Sequence, residues 1–346
     1  MASRHSKQQQ QKVNPVLLAT SAAVALVVVM VVVVISLVGG GGQGQEEESS
    51  GTGVPEGMVL VNDLYEGQRL VPNFDMDLNQ YDTEKFVEEN GFIRYQDGKA
   101  VAGVDVSEHQ WDIEWSQVAN SGVDFAMIRL GYRGYTEGGL FEDPYYKSNM
   151  DNALANGLEV GVYMFSQAIS VEEAVEEAEF VIERLEGYDV TMPVVFDWER
   201  QNYAGSRTQT IPDTDLLCSM ANAFCADIEA AGYEAMIYFY QNLAYNNLDL
   251  SQLLDYPFWL AQYTDYPSFY YDFDMWQYTS SGKVPGISGN VDLNLRFFRD
   301  GELPPEDSEE ELPQDLQNQG EDEEELPQDL RGTMNSDTEE DSGSLR

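Results

Sequence analysis

The chain has 346 residues, with 62 Asp and Glu against 18 Lys and Arg, for a net charge of −44. So large an acidic excess excludes a nucleic-acid binder working through a basic patch, because phosphate contacts need clustered Lys and Arg. The length allows two domains, or one large domain with appendages, and the charge marks the appendages: residues 1–38 carry only Arg4, Lys7 and Lys12, whereas 302–346 hold 17 acids and two arginines.

A basic segment at 1–15 precedes Val16–Val38, which is 23 residues without a charge. At 1.5 Å per residue that run is about 34 Å long, enough to cross a hydrocarbon layer of about 30 Å. It is longer than the apolar region of a cleaved signal peptide and has no A-x-A exit. The expectation is a single-pass transmembrane anchor with its N-terminus cytoplasmic and the rest of the chain extracellular, since the positive charges lie before it.

Residues 39–99 read as a stalk and small N-terminal extension that ends in FIRYQDGKAV, with DG as a turn signal. Within it, DMDLNQYDTE at Asp75–Glu84 has the first ligand positions of a calcium loop, but it puts Gln80 where the loop needs Gly and Phe86 where it needs Glu. No metal and no cofactor are expected.

From Ala100 the pattern changes to apolar runs alternating with amphipathic helices. Strands are expected in VAGVDVS, VDFAMIRLGY, GLEVGVYMFS, MPVVFDWE, YEAMIYFY, PFWLAQY, DMWQYT and GNVDLN, and helices at 113–121, 144–156, 171–186 and 213–231. The alternation predicts an α/β fold, an irregular TIM-like β/α barrel over 100–299, with its chemistry at the C-terminal strand ends. The last strands have little helix between them, which argues against a regular eightfold repeat. Cys218 and Cys225 lie seven residues, or about 10 Å, apart on one helix; this exceeds the ~7 Å Cα limit for a disulfide and makes both core residues. The region 300–346 is an acidic low-complexity tail in which EEELPQDL recurs with a period of 14. Its composition predicts disorder.

D-x-E occurs eight times in this acidic chain, so the motif alone says little. One instance has a distinctive setting: Met192 to Phe196 run straight into Asp197-Trp198-Glu199. A buried strand is a costly place for ionised carboxylates unless something uses them. With a side-chain period of two, Asp197 and Glu199 project to one side about 6 to 7 Å apart. Such a pair divides its pKa values, one acid staying protonated, which is what cleaving a glycosidic bond requires. Asp105 in VAGVDVS and Asp292 in GNVDLN have similar settings. Tyr163, Tyr238, Tyr240, Trp259, Tyr263, Trp276 and Tyr278 fall near the same strand ends and could stack on sugar rings. Of these, Tyr163, Tyr238, Trp276 and Tyr278 are the expected substrate-binding residues.

The blocks GVDVSEHQWDIEW, IRLGY, GVYMFSQA, VVFDWE, WLAQYTDYP and MWQYTSSGKVPGISGNVDLN, in that order, resemble glycoside hydrolase family 25, the N-acetylmuramidase lysozymes. The resemblance covers roughly 100–299. It implies cleavage of the β-1,4 bond between N-acetylmuramic acid and N-acetylglucosamine in peptidoglycan, by a catalytic domain expected to be monomeric. Glu199 would be the general acid. Asp197 would orient the substrate 2-acetamido group or act as base, and Asp105 and Asp292 match the family's other pocket carboxylates. Trp111 departs from the pattern, standing where Gly is common, and Met164 occupies a variable position. Inversion, a direct carboxylate nucleophile and assistance by the substrate's acetamide all remain open. The alternatives in function are a non-catalytic peptidoglycan-binding module and a glucosaminidase or chitinase.

Overall fold

The computed structural model describes residues 53–299, which begin with two short antiparallel hairpins. In the first, β1 (Met58–Asp63) pairs with β2 (Gly67–Pro72); in the second, β3 (Phe86–Glu89) pairs with β4 (Phe92–Tyr95). Gly98 of the DG turn, at φ 73°, then leads into β5 (Ala100–Val106). Next come α1 (Trp115–Ala119), β6 (Phe125–Arg133), the short β7 (Leu140–Glu142), α2 (Tyr146–Ala155) and β8 (Glu159–Ser166). The chain continues through α3 (Val171–Leu185), β9 (Val194–Trp198), α4 (Thr214–Ala230), β10 (Ala235–Tyr240) and α5 (Gln241–Asn247). It closes with β11 (Phe258–Ala261), β12 (Met275–Gly282) and β13 (Val291–Phe297). All the expected strands and helices form. The unannounced α5 is short and has no capping side chain, so its sequence carries no start signal.

Strand order is β5–β13–β12–β11–β10–β9–β8–β6, and β6 pairs back to β5, closing an eight-stranded barrel. Its strands run parallel except β13, which is antiparallel to both β12 and β5. A parallel neighbour needs a long crossover and an antiparallel one only a short turn. The link at 283–290 is too short for a crossover, so β13 must return antiparallel. The irregularity expected from the crowded last strands takes this form.

Alternation along the strands splits the core in two. Phe125, Met127, Val195, Met236, Trp259 and Met275 pack inside the barrel, while Val104, Ile128, Val162, Phe196, Ile237 and Leu260 pack outside it. Gly103 faces inward because a Cβ there would sit 2.3 Å from the Phe125 ring. Cys218 and Cys225 are both free and buried in the outer layer.

The extension takes the place of a missing helix. No α-helix lies between β11 and β12, and the outward side of that region is covered by residues 74–95. Tyr81 donates to the Phe273 carbonyl at 2.8 Å, its ring lies 4.0 Å from that of Phe297, and Asn79 donates to the Phe269 carbonyl at 3.0 Å. Residues 74–95 of the small extension thus pack on the barrel. The expected anchor at Val16–Val38 and the acidic tail lie outside the described residues. Among the described residues no helix is long and apolar enough to cross a membrane.

Candidate active site

The barrel's alternation brings the four singled-out acids to one end. Asp105 is the penultimate residue of β5, Asp197 is the penultimate residue of β9, and Glu199 follows that strand directly. Asp292 is the second residue of β13, and because that strand runs backwards its start lies at the end where the others finish. Asp292 is in register with Asp105, and Asp197 with Tyr238. All four acids line a cleft of about 670 Å³, within the usual range for a small-molecule site.

The segment after β9 is pinned from both sides. Gln167 donates to the Glu199 carbonyl at 2.7 Å and accepts from the Thr208 hydroxyl at 2.5 Å, while the Trp198 indole donates to the Ala168 carbonyl at 2.9 Å. Glu199 is thereby held on a rigid support, which a proton-transferring group needs.

Burial is the first cause of every pKa shift among the four acids, because it penalises the charged form. Asp105 accepts from Gln277 at 2.9 Å and Asn294 at 2.8 Å, and these bonds limit its rise to about 6. Asp292 is pushed up to about 8 by burial and then by Asp105. Glu199 is raised by burial, opposed by a hydrogen bond from Tyr238. Asp197 is raised well above the carboxylate range by burial and by Glu199, and its Oδ1 is buried with no hydrogen-bond partner. The one guanidinium in the cleft, Arg129, is already engaged by Asp143 at 2.7 Å and Glu108 at 3.0 Å. Burial thus pushes all four acids toward their protonated forms, Asp292 further than Asp105.

Tyr163 and Tyr238 line this cleft, yet both are nine-tenths buried. Trp276 and Tyr278 do not line it, which corrects the expectation for those two. Along β12 the inward residues are Met275 and Gln277. Trp276 and Tyr278 face outward under the extension, where Trp276 lies edge-on to Phe86 at 5.4 Å and the Tyr278 hydroxyl accepts from the Ile93 N–H at 3.2 Å. More open aromatic surface comes from Tyr135 and Tyr263. Arg129, Gln277 and Asn294 are functional candidates that the sequence reading passed over. Each interrupts an apolar strand, as Asp105 does.

Trp111 follows the cleft residues His109 and Gln110 and is 68 % exposed. Its backbone sits at φ 61°, ψ −139°, a conformation suited to glycine that costs another residue about 1–3 kcal/mol. The departure from Gly at this position therefore has a physical consequence: the chain bears strain to display an indole at the cleft's edge.

Carboxyls whose pKa values are raised by burial, next to aromatic faces at the catalytic end of a β/α barrel, are suited to protonating a glycosidic oxygen, and fold and site together define a carboxylate glycosidase. Comparison with known proteins makes the class specific. A model of the glycosyl hydrolases family 25 matches residues 104–287, more than half of the chain, and the protein belongs to that family. It is a glycoside hydrolase of the lysozyme kind. It is 28 % identical over 208 residues to lysozyme M1 of Streptomyces globisporus, covering 57 % of this chain and 68 % of that one. It is 29 % identical over 193 residues to an autolytic lysozyme of Clostridium acetobutylicum, covering 56 % of this chain and 54 % of that one. The modular autolysin LytC from Streptococcus pneumoniae shares the fold at a TM-score of 0.52 and 24 % identity, over 70 % of this chain and 57 % of that one. The chain thus spans about half the length of the last two.

Proposed function

We propose that the protein is a membrane-anchored muramidase that cleaves the β-1,4 bond between N-acetylmuramic acid and N-acetylglucosamine in peptidoglycan during wall remodelling. The observation that carries the reading is the orphaned Oδ1 of Asp197. A buried acceptor without a partner is costly, and the N–H of a sugar 2-acetamido group supplies the missing donor. Accepting that bond favours the ionised form of Asp197, which leaves the shared proton on Glu199. Substrate binding therefore sorts the proton between the two acids. The acetamide oxygen then attacks the anomeric carbon as Glu199 gives its proton to the departing O4, leaving a cyclic oxazolinium. Water opens the ring, with the ionised Glu199 taking its proton back. Asp105, held lower by its two amide donors, stabilises positive charge developing on the sugar, and Asp292, which keeps its proton, serves as a hydrogen-bond donor in the cleft.

Digestion of purified peptidoglycan, followed by borohydride reduction, distinguishes the readings. Muramitol is the expected reduced sugar, glucosaminitol indicates a glucosaminidase, and no release indicates a binding module. The first product is expected to keep the β configuration, and inversion at that carbon would sink the substrate-assisted route.

The anchor rests on the uncharged run Val16–Val38 behind three basic residues. The full chain is expected to stay with membranes through alkaline extraction, and a version lacking residues 1–45 is expected to be released. Recovery of both in the soluble fraction removes the anchor.

A further inference from the structure

The extension does more than cover the barrel wall. The turn between β1 and β2 reaches the mouth of the barrel and places Tyr65 there. Tyr65, Tyr240 and Asn242 line a second cavity of about 180 Å³ that shares Glu199, Tyr238 and Tyr263 with the main cleft. Glu199 thus stands between the two cavities, and one wall of the second comes from outside the region 104–287 that defines the family.

The turn is fixed in place. Asp63 is buried and accepts from the Tyr65 N–H at 2.6 Å, from Arg69 at 3.3 Å and from the Gln241 side chain. Arg69 also donates to the Asn242 side chain at 2.8 Å, and the Leu64 N–H donates to the Ser268 hydroxyl at 3.1 Å. The Tyr65 hydroxyl accepts from the backbone N–H of Tyr263. With all these ties, Tyr65 and Tyr263 remain 48 % and 47 % exposed. Two aromatic rings held rigid yet left open suit a flat apolar face, at little entropic cost on binding. The Asn242 amide nitrogen, the Tyr240 hydroxyl and the Tyr65 hydroxyl proton add polar groups at the rim. An apolar face ringed by hydroxyls describes a pyranose.

We propose that Tyr65 and Tyr263 form an additional sugar subsite, built by this chain's extension, which holds the glycan strand beside Glu199 where the second cavity opens off the main cleft. The inference rests on the muramidase reading. The subsite makes the enzyme favour long glycan strands over short fragments.

Binding can be read without turnover in the full chain carrying Glu199→Gln, by calorimetric titration with peptide-free wall glycans of two and of six sugars. Adding Tyr65→Ala is expected to weaken the hexasaccharide by about tenfold, a typical effect of losing one aromatic contact, and the disaccharide by less than about twofold. Tyr65→Phe, which loses the hydroxyl and keeps the ring, is expected to retain the preference for length. An equal loss on both ligands, no loss on either, or a Phe variant as weak as the Ala variant overturns the subsite. A parent that binds neither glycan overturns the muramidase reading along with it, whereas binding without a Tyr65 effect overturns the subsite alone.

Discussion

Glu199→Gln is expected to lower kcat on peptidoglycan by about a hundred- to ten-thousand-fold, the span a positioned general acid contributes, with KM changed little. Glutamine keeps the shape of the side chain, and its amide oxygen still accepts from the Tyr238 hydroxyl, so the cleft should survive the change. What is lost is the proton. The leaving sugar's O4 departs poorly as an alkoxide, whereas a nitrophenolate departs well unaided. An aryl glycoside should therefore recover much of the lost rate in the variant, which a merely misfolded protein would not allow. The pH profile supplies a second reading. A general acid works only while protonated, so the parent loses activity as pH rises through the raised pKa of Glu199, a rise caused by burial. The residual activity of the variant should lack that descent. Full activity of the variant on the wall would falsify the assignment.

The acids were readable in the sequence because each breaks an apolar run, and a break of that kind costs stability unless it is used. Asp197 follows five buried residues, Met192 to Phe196, and Asp105 sits between Val104 and Val106. The period of two then tells which residues share a face, but not which face looks inward. On β5 and β9 the acids settle it, since valines and phenylalanines on the other face need cover from helices. On β12 both faces are bulky, and Trp276 and Tyr278 look as suited to a sugar as to a core. Their true cover, the segment around Phe86 and Ile93, comes from a distant part of the sequence and leaves no local signal. Tyr65 is hidden for the same reason, since it meets Tyr263 across 198 residues. Arg129 is a different matter. A lone cation in FAMIRLGY carries the same signal as Asp105, and only the weight given to carboxylates hid it.

Asp292→Asn is expected to stabilise the fold at pH 8 while lowering activity, and the two effects have one origin. Asp292 is pushed up to about 8, first by burial and next by Asp105, which pairs with it across β13 and β5. In the unfolded chain an aspartate titrates near 3.9. Between about pH 4 and pH 8 the unfolded state has therefore lost a proton that the folded state still holds, so stability falls as pH rises through that window. Asparagine has no proton to hold and escapes the penalty. Full linkage over that shift would give about 5 kcal/mol, but Asp292 is only partly buried and shares its shift with Asp105, so the gain should reach about 2 kcal/mol, or roughly 4–8 °C in Tm, at pH 8. It should shrink to about a few tenths of a kcal/mol near pH 4, where the folded state is protonated and the unfolded state about half so. Asp105 is the poorer choice for this test, because Gln277 and Asn294 both donate to it and its replacement would disturb their bonds as well. Equal gains at pH 4 and pH 8 would show that charge is not the cause. A gain in stability without loss of activity would make Asp292 a bystander, whereas gain and loss together mean that the cleft keeps a destabilising acid because the reaction uses it.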